Sequence, residues 1–403
     1  SSWNKQVLKF ALIIFKYFPF GGMQRDMLRT AEELMRRGHQ VEVFTLSWQG
    51  EIPRGLAIHV LPQQGWFNYR RYQRFIKATF NLISLGQFDY IFGYNRMAGL
   101  DAHFAADPCF VERAHTQRGF FYRWMPRTRW FLACEKSIFS AEASTHVLAV
   151  ALTEKPHFQK WYGLQDVRFH YIPPYLSPAR FTLGNRAQMR QHLRSVFQFA
   201  ETDFVFLLTG SGFAMKGLDR AILALAALPE QLRRRTRLVA VGQDNPKKFQ
   251  AMASQLGLAK QVVIAKGRSD IPQLMQGADV CVHPAYRENT GLVILEGMAC
   301  GTPMLVTASC GYANHVAEGN AGLVSAMPFE QAVFNAEFLQ MRTALDLAVV
   351  SKPDWGRKGL AYTQAIMQAN DGSAEAMILI RLAEEKKARG SDGQYDHSSN
   401  NAD

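Results

Sequence analysis

The sequence is poor in the patterns that mark a metal centre, a disulfide framework or a membrane span. Its five cysteines are scattered and odd in number, with no Cys-x-x-Cys pair, so we interpret them as reduced, buried thiols. The longest apolar runs, such as residues 10–15, are strand-sized and end at charges, which excludes a transmembrane helix. The two common nucleotide-binding fingerprints, Gly-x-Gly-x-x-Gly and Gly-x4-Gly-Lys-Ser/Thr, are absent as well, so neither kind of site is predicted.

Composition and charge bound the remaining possibilities. The chain has 403 residues, of which 48% are hydrophobic, and carries a formal charge of +12. This length predicts two domains of ordinary size, each with its own core. The excess of positive charge favours an anionic partner, which could be nucleic acid, an acidic membrane or a phosphorylated substrate.

Strand-like and helix-like segments alternate along both halves, which predicts an α/β fold of two doubly wound, Rossmann-like domains. Adjacent prolines in the run Tyr171–Tyr175 indicate the link between them. We expect domains at residues 1–175 and 176–350, C-terminal helices at 351–387 that cross back to the first domain, and a disordered tail at 388–403. A ligand of two such domains is expected at the carboxyl ends of their strands, in the cleft between them.

Two carboxylates eight residues apart, Glu288 and Glu296, are the most informative motif. This spacing allows both to project toward one edge of a helix. The residues between them, Thr290 and Gly291 among them, would form the helix N-terminus, where free N–H groups attract an anion. The motif is therefore a candidate cradle for a sugar nucleotide. An amphipathic helix with Glu296 on its surface is the alternative interpretation.

Two glycine-containing loops follow predicted strands. Gly21 and Gly22 open the first helix and would allow a phosphate or sugar to approach the backbone closely. Lys216 follows a Gly-Ser-Gly loop at a predicted helix start, a position that is electrostatically unfavourable for a lysine unless it meets a diphosphate. An ordinary turn and a solvated lysine remain the alternatives for these two loops.

With these loops in view, the chain resembles the GT-B glycosyltransferases of family 4 over roughly residues 7–370. Both glycine-containing loops and the Glu-x7-Glu motif take part in the resemblance. The other matching runs are 16–26, 37–39, 97–101, 104–107, 241–244, 283–286 and 310–313.

The resemblance implies a role for each matching residue. Glu288 would bind hydroxyls of the donor sugar and Glu296 those of the ribose, while Lys216 would neutralise the departing diphosphate. Asp26 and Asp107 match positions tied to activity, although His103 is an alternative to Asp107. The remaining residues are expected to contact the base or the diphosphate of the donor, mostly through their backbone groups. They are Gly21, Gly22, Gly267, Arg268, Thr290, Gly291 and Leu292.

The sequence lacks one positively charged residue that many members of the family have. Many members carry an arginine shortly before the lysine, but this chain has Gly210–Ala214 there, so a second cation would come from elsewhere, Arg25 or Arg220 being candidates. The family retains anomeric configuration and needs no metal, and no Asp-x-Asp metal loop is present. We therefore expect no cofactor, since the UDP-sugar is a substrate.

Residues 111–136, which we call the basic segment, contain six Lys/Arg, two acids and six aromatic residues. This interleaving favours an element that lies on an anionic membrane. A core-packed helix with outward arginines is the alternative. Nucleic-acid binding also suits a basic, aromatic segment, but no nucleic-acid motif accompanies it.

The resemblance as a whole implies a retaining hexosyltransferase on the cytoplasmic face of the inner membrane of a Gram-negative bacterium. It would move a hexose, with glucose as the first candidate, from a UDP-sugar to an inner-core heptose of lipopolysaccharide, which starts the outer core. Another UDP-sugar donor, such as galactose or an amino sugar, remains open. So does a non-catalytic scaffold that binds sugar nucleotides at a membrane.

Overall fold

The computed structural model describes residues 6–19, 21–181 and 183–395. It divides into two compact units, residues 1–173 with 370–403, and residues 174–369. The chain thus leaves the first unit between Pro173 and Pro174 and returns to it at Asn370.

The first unit contains a parallel sheet of the order β3-β2-β1-β4-β5-β6-β7. Its central strand β1 is apolar at almost every position and is buried on both faces, as expected for a parallel sheet covered by helices. The strands are β1 (Lys9–Tyr17), β2 (Gln40–Trp48), β3 (Ala57–Val60), β4 (Tyr90–Gly93), β5 (Ala102–Ala105), β6 (His146–Ala149) and β7 (Phe169–Tyr171).

The second unit repeats this arrangement with the parallel order β10-β9-β8-β11-β12-β13. In each sheet the strand order reverses beside the first strand, between β1 and β4 and between β8 and β11. The strands are β8 (Phe204–Thr209), β9 (Thr236–Val241), β10 (Val262–Ala265), β11 (Val280–His283), β12 (Met304–Thr307) and β13 (Gly322–Ser325).

The helices cover both sheets. They are α1 (Gly22–Arg36), α2 (Asn68–Leu85), α3 (Phe110–Thr116), α4 (Pro126–Phe139), α5 (Lys155–Tyr162), α6 (Arg186–Phe197), α7 (Phe213–Lys216), α8 (Leu218–Ala226), α9 (Glu230–Arg233), α10 (Lys247–Gln255), α11 (Ile271–Gly277), α12 (Leu292–Ala299), α13 (Ala313–Glu318), α14 (Gln331–Ala344), α15 (Trp355–Ala369) and α16 (Ala374–Tyr395). Short 3-10 turns occupy Phe120–Trp124, Asp166–Arg168 and Pro178–Phe181. No helix of the described chain is long and apolar enough to cross a membrane.

The C-terminal helices differ from the sequence-based expectation in two ways. Helix α15 belongs to the second unit, and only the chain from Asn370 returns to the first. Helix α16 docks there because Ala376, Leu379 and Leu382 are buried in the same core as β1. The helix continues through Tyr395, so residues 388–395 are helical where a disordered tail was predicted, and residues 396–403 lie outside the described residues.

The predicted α/β architecture of two doubly wound domains is confirmed by the two parallel sheets. In such folds the ligand crevice opens at the carboxyl ends of the strands where the strand order reverses. The candidate functional residues therefore follow β8 and β11 in the second unit and β1 and β4 in the first, and each unit is described by itself.

Candidate active site

The segments that follow β8 and β11 bring three charged or polar side chains together. Lys216 Nζ donates to both carboxylate oxygens of Glu288, at 2.7 and 2.6 Å. His283 Nε2 lies 2.9 Å from Glu288 Oε2, and the histidine is 2% exposed. Burial by itself would raise the pKa of Glu288, but His283 and Lys216 outweigh it and lower that pKa to about 2. Glu288 is thus a fixed, ionised carboxylate at the reversal point of the second sheet.

Lys216 is positioned by a close contact between two backbone segments. It is the last residue of the four-residue helix α7, not the first residue of a helix as predicted, because Gly217 breaks the helix there with φ +79°. A Cβ on Gly217 would lie 2.0 Å from the carbonyl oxygen of Pro284. The Tyr286 N–H donates to the Met215 carbonyl at 2.9 Å. The lysine turn and the β11 loop are therefore in direct backbone contact, which only glycine permits.

Helix α12 begins at Leu292, shortly after Glu288, and presents its N-terminus there. Gly291 forms the N-cap with φ +79°, and the Thr290 carbonyl accepts the Tyr312 N–H at 2.7 Å. Within the described residues, no protein acceptor pairs with the N–H groups of Thr290, Gly291 or Leu292. Unpaired N–H groups at a helix start favour an anion, so the predicted diphosphate contacts of these three residues stay a prediction.

Glu296 lies on α12 but has a different partner from Glu288. It is 8% exposed, and its Oε1 is 3.2 Å from Arg180 Nη1. The alternative interpretation of Glu296 as an ordinary surface residue is therefore wrong. The two glutamates are held by separate cations, so each can act on a different part of a ligand.

Gly267 and Arg268 follow β10, at the same edge of the second sheet. The side chain of Gln243 packs against Gly267, with its Cγ 3.0 Å from the position of a Cβ there. The Arg268 guanidinium binds Asp270 through two hydrogen bonds of 2.7 and 2.9 Å, and this contact lowers the pKa of Asp270 to about 2. The arginine side chain is thus engaged by Asp270, although it remains 35% exposed.

Arg220 does not fit the role of a second cation beside Lys216. Its guanidinium carbon lies 3.6 Å from the ring centroids of both Tyr286 and Phe329. It also donates to the carbonyls of Pro284 and Ala285 at 3.2 Å, and it is buried. Arg220 therefore supports the β11 loop from behind. Arg25, the other candidate, is exposed on α1 in the first unit.

In the first unit, Gly21 and Gly22 open α1 as predicted, with Gly21 as its N-cap. Asp26 lies one turn into the helix and pairs with Arg29 at 2.6 Å. Burial raises the pKa of Asp26 more than Arg29 lowers it. The aspartate therefore lies in a poorly solvated part of the reversal point between β1 and β4.

A buried carboxyl group lies near Asp26, whose own side chain is 27% exposed. Tyr94 directly follows β4, and its hydroxyl donates to Glu375 Oε1 at 2.6 Å. Glu375 belongs to α16 and is 3% exposed. Burial, and then the charge of Asp26, raise the pKa of Glu375 to about 8. This group connects the first sheet to the returning C-terminal helix.

Asp107 and His103 differ in their exposure to solvent. His103 is 2% exposed and donates through Nδ1 to the Gly93 carbonyl at 3.0 Å, and burial lowers its pKa to about 3. It is a neutral core residue. Asp107 is exposed, and its carbonyl accepts from Arg96 Nη2 at 2.8 Å. Of the two, only Asp107 has a side chain that a substrate can reach, although no contact among the described residues joins it to Asp26.

The basic segment presents apolar rings to solvent. Its 3-10 turn and the start of α4 expose Phe120, Phe121, Trp124 and Met125, with Phe121 84% exposed. Arginines lie over neighbouring rings, Arg123 over Phe120 and Arg127 over Phe131. The far end of α4 is buried, because Glu135 accepts the N–H groups of Phe110 and Val111. Only part of the segment is therefore core-packed.

Among the described residues, no group of three His, Cys, Asp or Glu side chains is arranged to hold a metal ion. All five cysteines are free and buried. The functional groups gathered at the β8/β11 reversal point are lysine, histidine and glutamate side chains and helix N–H groups.

Two α/β units of this topology, with a lysine and a Glu-x7-Glu motif at one reversal point, agree with the resemblance to the GT-B glycosyltransferases. The family model described as Glycosyltransferase Family 4 matches residues 20–180, and that described as Glycosyl transferases group 1 matches residues 189–341. The chain belongs to this glycosyltransferase family, of the GT-B fold.

The chain is similar to individual members of this family and fold. The chain is 40% identical over 325 residues to the lipopolysaccharide glucosyltransferase WaaG of Escherichia coli K12, across 81% of this chain and 87% of that protein. It is similar to a crystal structure of WaaG, with a TM-score of 0.75 and 36% identity, covering 93% of this chain and 98% of that one. The fold is shared with Anabaena HepE in complex with UDP and glucose, with a TM-score of 0.62 and 17% identity, covering 96% and 100%.

Sequence reasoning missed four residues of the two reversal points. His283 lies in one of the matching runs but had been given no role, and Arg180 lies 116 positions before its partner Glu296. Tyr94 and Glu375 are 281 positions apart. Only His283, the last residue of a predicted strand that points at the Glu288 loop, had a local signal that could have revealed it.

Proposed function

We propose that this protein is a retaining glucosyltransferase that moves glucose from UDP-glucose to a heptose of the lipopolysaccharide inner core. The observation that carries the proposal is the Lys216–Glu288–His283 group at the β8/β11 reversal point, beside the open N-terminus of α12. The 40% identity to a lipopolysaccharide glucosyltransferase supports the choice of donor and acceptor.

The donor would replace the ion pair between Lys216 and Glu288. Its diphosphate would lie at the N–H groups of Thr290, Gly291 and Leu292, within reach of Lys216. The lysine would then leave Glu288 for the phosphate, and the freed carboxylate would accept hydroxyl groups of the sugar. Because His283 still holds Glu288, the carboxylate would stay in place during this exchange. Glu296 would bind the ribose hydroxyls, and the Gly267–Arg268 backbone would contact the base.

The chemical step breaks the bond between the anomeric carbon and the phosphate oxygen. Negative charge builds on the departing diphosphate as the sugar becomes oxocarbenium-like, so the main task is to stabilise that charge. Lys216 and the α12 N–H groups would do this without a metal ion or cofactor. Among the described residues no carboxylate is placed as an evident nucleophile, so we favour attack of the acceptor hydroxyl from the face that the diphosphate leaves, with the hydroxyl proton passing to the departing phosphate oxygen.

The acceptor would bind the first unit, around Asp26 and Asp107. Arginines of this unit would hold its phosphates through charge-assisted hydrogen bonds. The exposed rings and arginines of the basic segment would place the enzyme on the anionic cytoplasmic face of the inner membrane, where a lipid-anchored acceptor is found.

A donor screen tests this proposal. Purified protein is incubated without metal with heptose-terminated lipopolysaccharide and a panel of UDP- and ADP-sugars, while nucleotide release and the mass of the product are followed. We expect release from UDP-glucose that requires the acceptor and adds one hexose. Turnover with UDP-galactose or a UDP-amino sugar alone would keep the reaction and change the donor. No turnover with any donor would favour the non-catalytic scaffold.

A further inference from the structure

A second exposed aromatic element lies in the first unit, outside the basic segment. Residues 61–67, which we call the Trp66 loop, join β3 to α2. Trp66 is fully exposed and Phe67 is 60% exposed at the tip of this loop. Two adjacent exposed aromatic side chains on a folded domain indicate contact with an apolar partner.

The Trp66 loop is held in place by the helix that follows it. Arg71 Nε donates to the Gln63 carbonyl at 3.0 Å, and Arg74 Nη1 donates to the Gln64 carbonyl at 2.7 Å. The loop is also tied to the sheet, because the Leu61 N–H donates to the Thr45 carbonyl at 2.8 Å. Its two exposed rings are thus presented by hydrogen-bonded backbone.

A chain of ring contacts connects the Trp66 loop to the basic segment. Tyr69 and Tyr72 of α2 lie 6.5 and 6.4 Å from Trp130 of α4, measured between ring centroids. The contacts continue in both directions and join the two exposed ends: Phe67 to Tyr69 at 6.2 Å, Trp130 to Phe131 at 4.9 Å, Phe131 to Phe110 at 5.7 Å and Phe110 to Tyr122 at 6.3 Å.

Positive charge predominates around both elements. Residues 52–88 contain five Lys/Arg and no acid, and the basic segment contains six Lys/Arg and two acids. The Arg70 guanidinium carbon lies 5.9 Å from the Phe67 ring centroid, as Arg123 lies beside Phe120. Exposed aromatic rings among an excess of basic side chains are complementary to the headgroup region of an anionic bilayer.

We propose that the Trp66 loop is a second membrane-binding element, which inserts Trp66 and Phe67 into the same anionic lipid surface that the basic segment contacts. This inference rests on the membrane contact given under the proposed function. The basic segment alone would attach at one place, whereas two elements joined through Trp130 fix the orientation of the first unit on the bilayer.

The test measures how strongly three variants of the full chain bind vesicles of phosphatidylglycerol and phosphatidylethanolamine in a sedimentation assay. Two are double variants and one is a single-residue control. Trp66→Ser with Phe67→Ser removes the loop rings, and Phe121→Ser with Trp124→Ser removes those of the basic segment. Leu85→Ser is the matched control, because Leu85 is 82% exposed at the opposite end of α2. We expect each double variant to weaken vesicle affinity about tenfold or more, and the control to bind like wild type.

The outcomes separate this inference from the proposed function. If only the Phe121/Trp124 variant loses affinity, the Trp66 loop is not a membrane element, while the basic segment remains one. If wild type does not bind anionic vesicles, both membrane contacts are refuted, and the donor screen still decides the reaction independently. Quenching by brominated lipids gives a second measurement. Wild-type fluorescence should be quenched more than that of Trp66→Phe, and equal quenching would contradict insertion of Trp66.

Discussion

The reversal points of the two sheets hold their carboxyl groups in opposite ways. After β8 and β11, Glu288 is paired with Lys216 and His283, and its pKa falls to about 2. After β4, Glu375 is bonded to Tyr94 in a buried position, and its pKa rises to about 8. The second unit thus keeps an ionised carboxylate paired with a lysine, and the first keeps a carboxyl group that gains its proton near neutral pH.

This difference has a physical basis in how each group is assembled. Lys216 and Glu288 lie in segments that follow neighbouring strands, and their side chains are 20% and 19% exposed, so solvent reaches this ion pair. Glu375 comes from a helix that docks on the first sheet, and desolvation dominates there. Under the proposed function the ion pair of the second unit opens when the donor binds, while the buried carboxyl group of the first unit holds two chain segments together.

Removal of the Lys216 side chain should have the largest effect on catalysis. Lys216→Ala should lower kcat about 10²- to 10³-fold, because the charge that develops on the diphosphate loses its partner. Affinity for UDP should fall less than about tenfold, since the α12 N–H groups remain. Steady-state kinetics and calorimetric titration with UDP measure the two quantities. Lys247→Ala, at an exposed lysine of α10, is the control, and equal losses of turnover and affinity would make Lys216 a simple binding residue.

Separation of the Lys216 turn from the loop that follows β11 should have the next largest effect on turnover. A methyl group on Gly217 would overlap the Pro284 carbonyl, so Gly217→Ala must displace Lys216 from Glu288. We expect about a 10²-fold loss of turnover. Gly257 has a similar φ of +72° but open space around it, so Gly257→Ala should cost only about 1 kcal/mol in stability. Thermal unfolding and steady-state kinetics measure the stability and the turnover of both variants. Equal losses of turnover in Gly217→Ala and Gly257→Ala would contradict this account.

Loss of the histidine that holds Glu288 should have a smaller effect. His283→Phe removes the hydrogen bond to Glu288 and should lower kcat/KM for UDP-glucose about tenfold. His283→Gln keeps a donor and should recover part of that loss. If both variants lost the same activity without any loss of stability, the hydrogen bond would not be the reason for the effect of His283.

The smallest effect on turnover is expected from the first unit's buried carboxyl group. Because the pKa of Glu375 is raised from 4.5 to about 8, folding favours its protonated form. Its stabilising contribution is complete below about pH 4.5 and is lost as pH rises through 8, by up to about 1.4 kcal/mol per pH unit. Glu375→Gln should therefore become more stable than wild type as pH increases. Denaturant unfolding from pH 5 to 9 measures this, with Glu142→Gln at an exposed site as the control; parallel curves would contradict the raised pKa.

The same contrast explains how much could be predicted from sequence. Alternating segments predicted both sheets, and the residues near Glu288 could be assigned because a strand, a loop and a helix start follow one another along the chain. Glu375 could not be assigned, because nothing local connects it to Tyr94 or Asp26. The pairing of Arg180 with Glu296 was missed for the same reason. The position of Lys216 was predicted wrongly within its helix, because Gly217 was not recognised as a break that its contact with Pro284 requires.

The central claim is that the nucleotide binds the second unit and that Asp26 acts on the acceptor side. Titration of UDP into Glu296→Gln and Asp26→Asn, each followed by an assay of transfer to heptose-terminated lipopolysaccharide, tests it most directly. We predict that Glu296→Gln weakens UDP binding about tenfold, whereas Asp26→Asn binds UDP like wild type and loses transfer. Equal loss of UDP affinity in Asp26→Asn, or unchanged affinity in Glu296→Gln, would contradict this account.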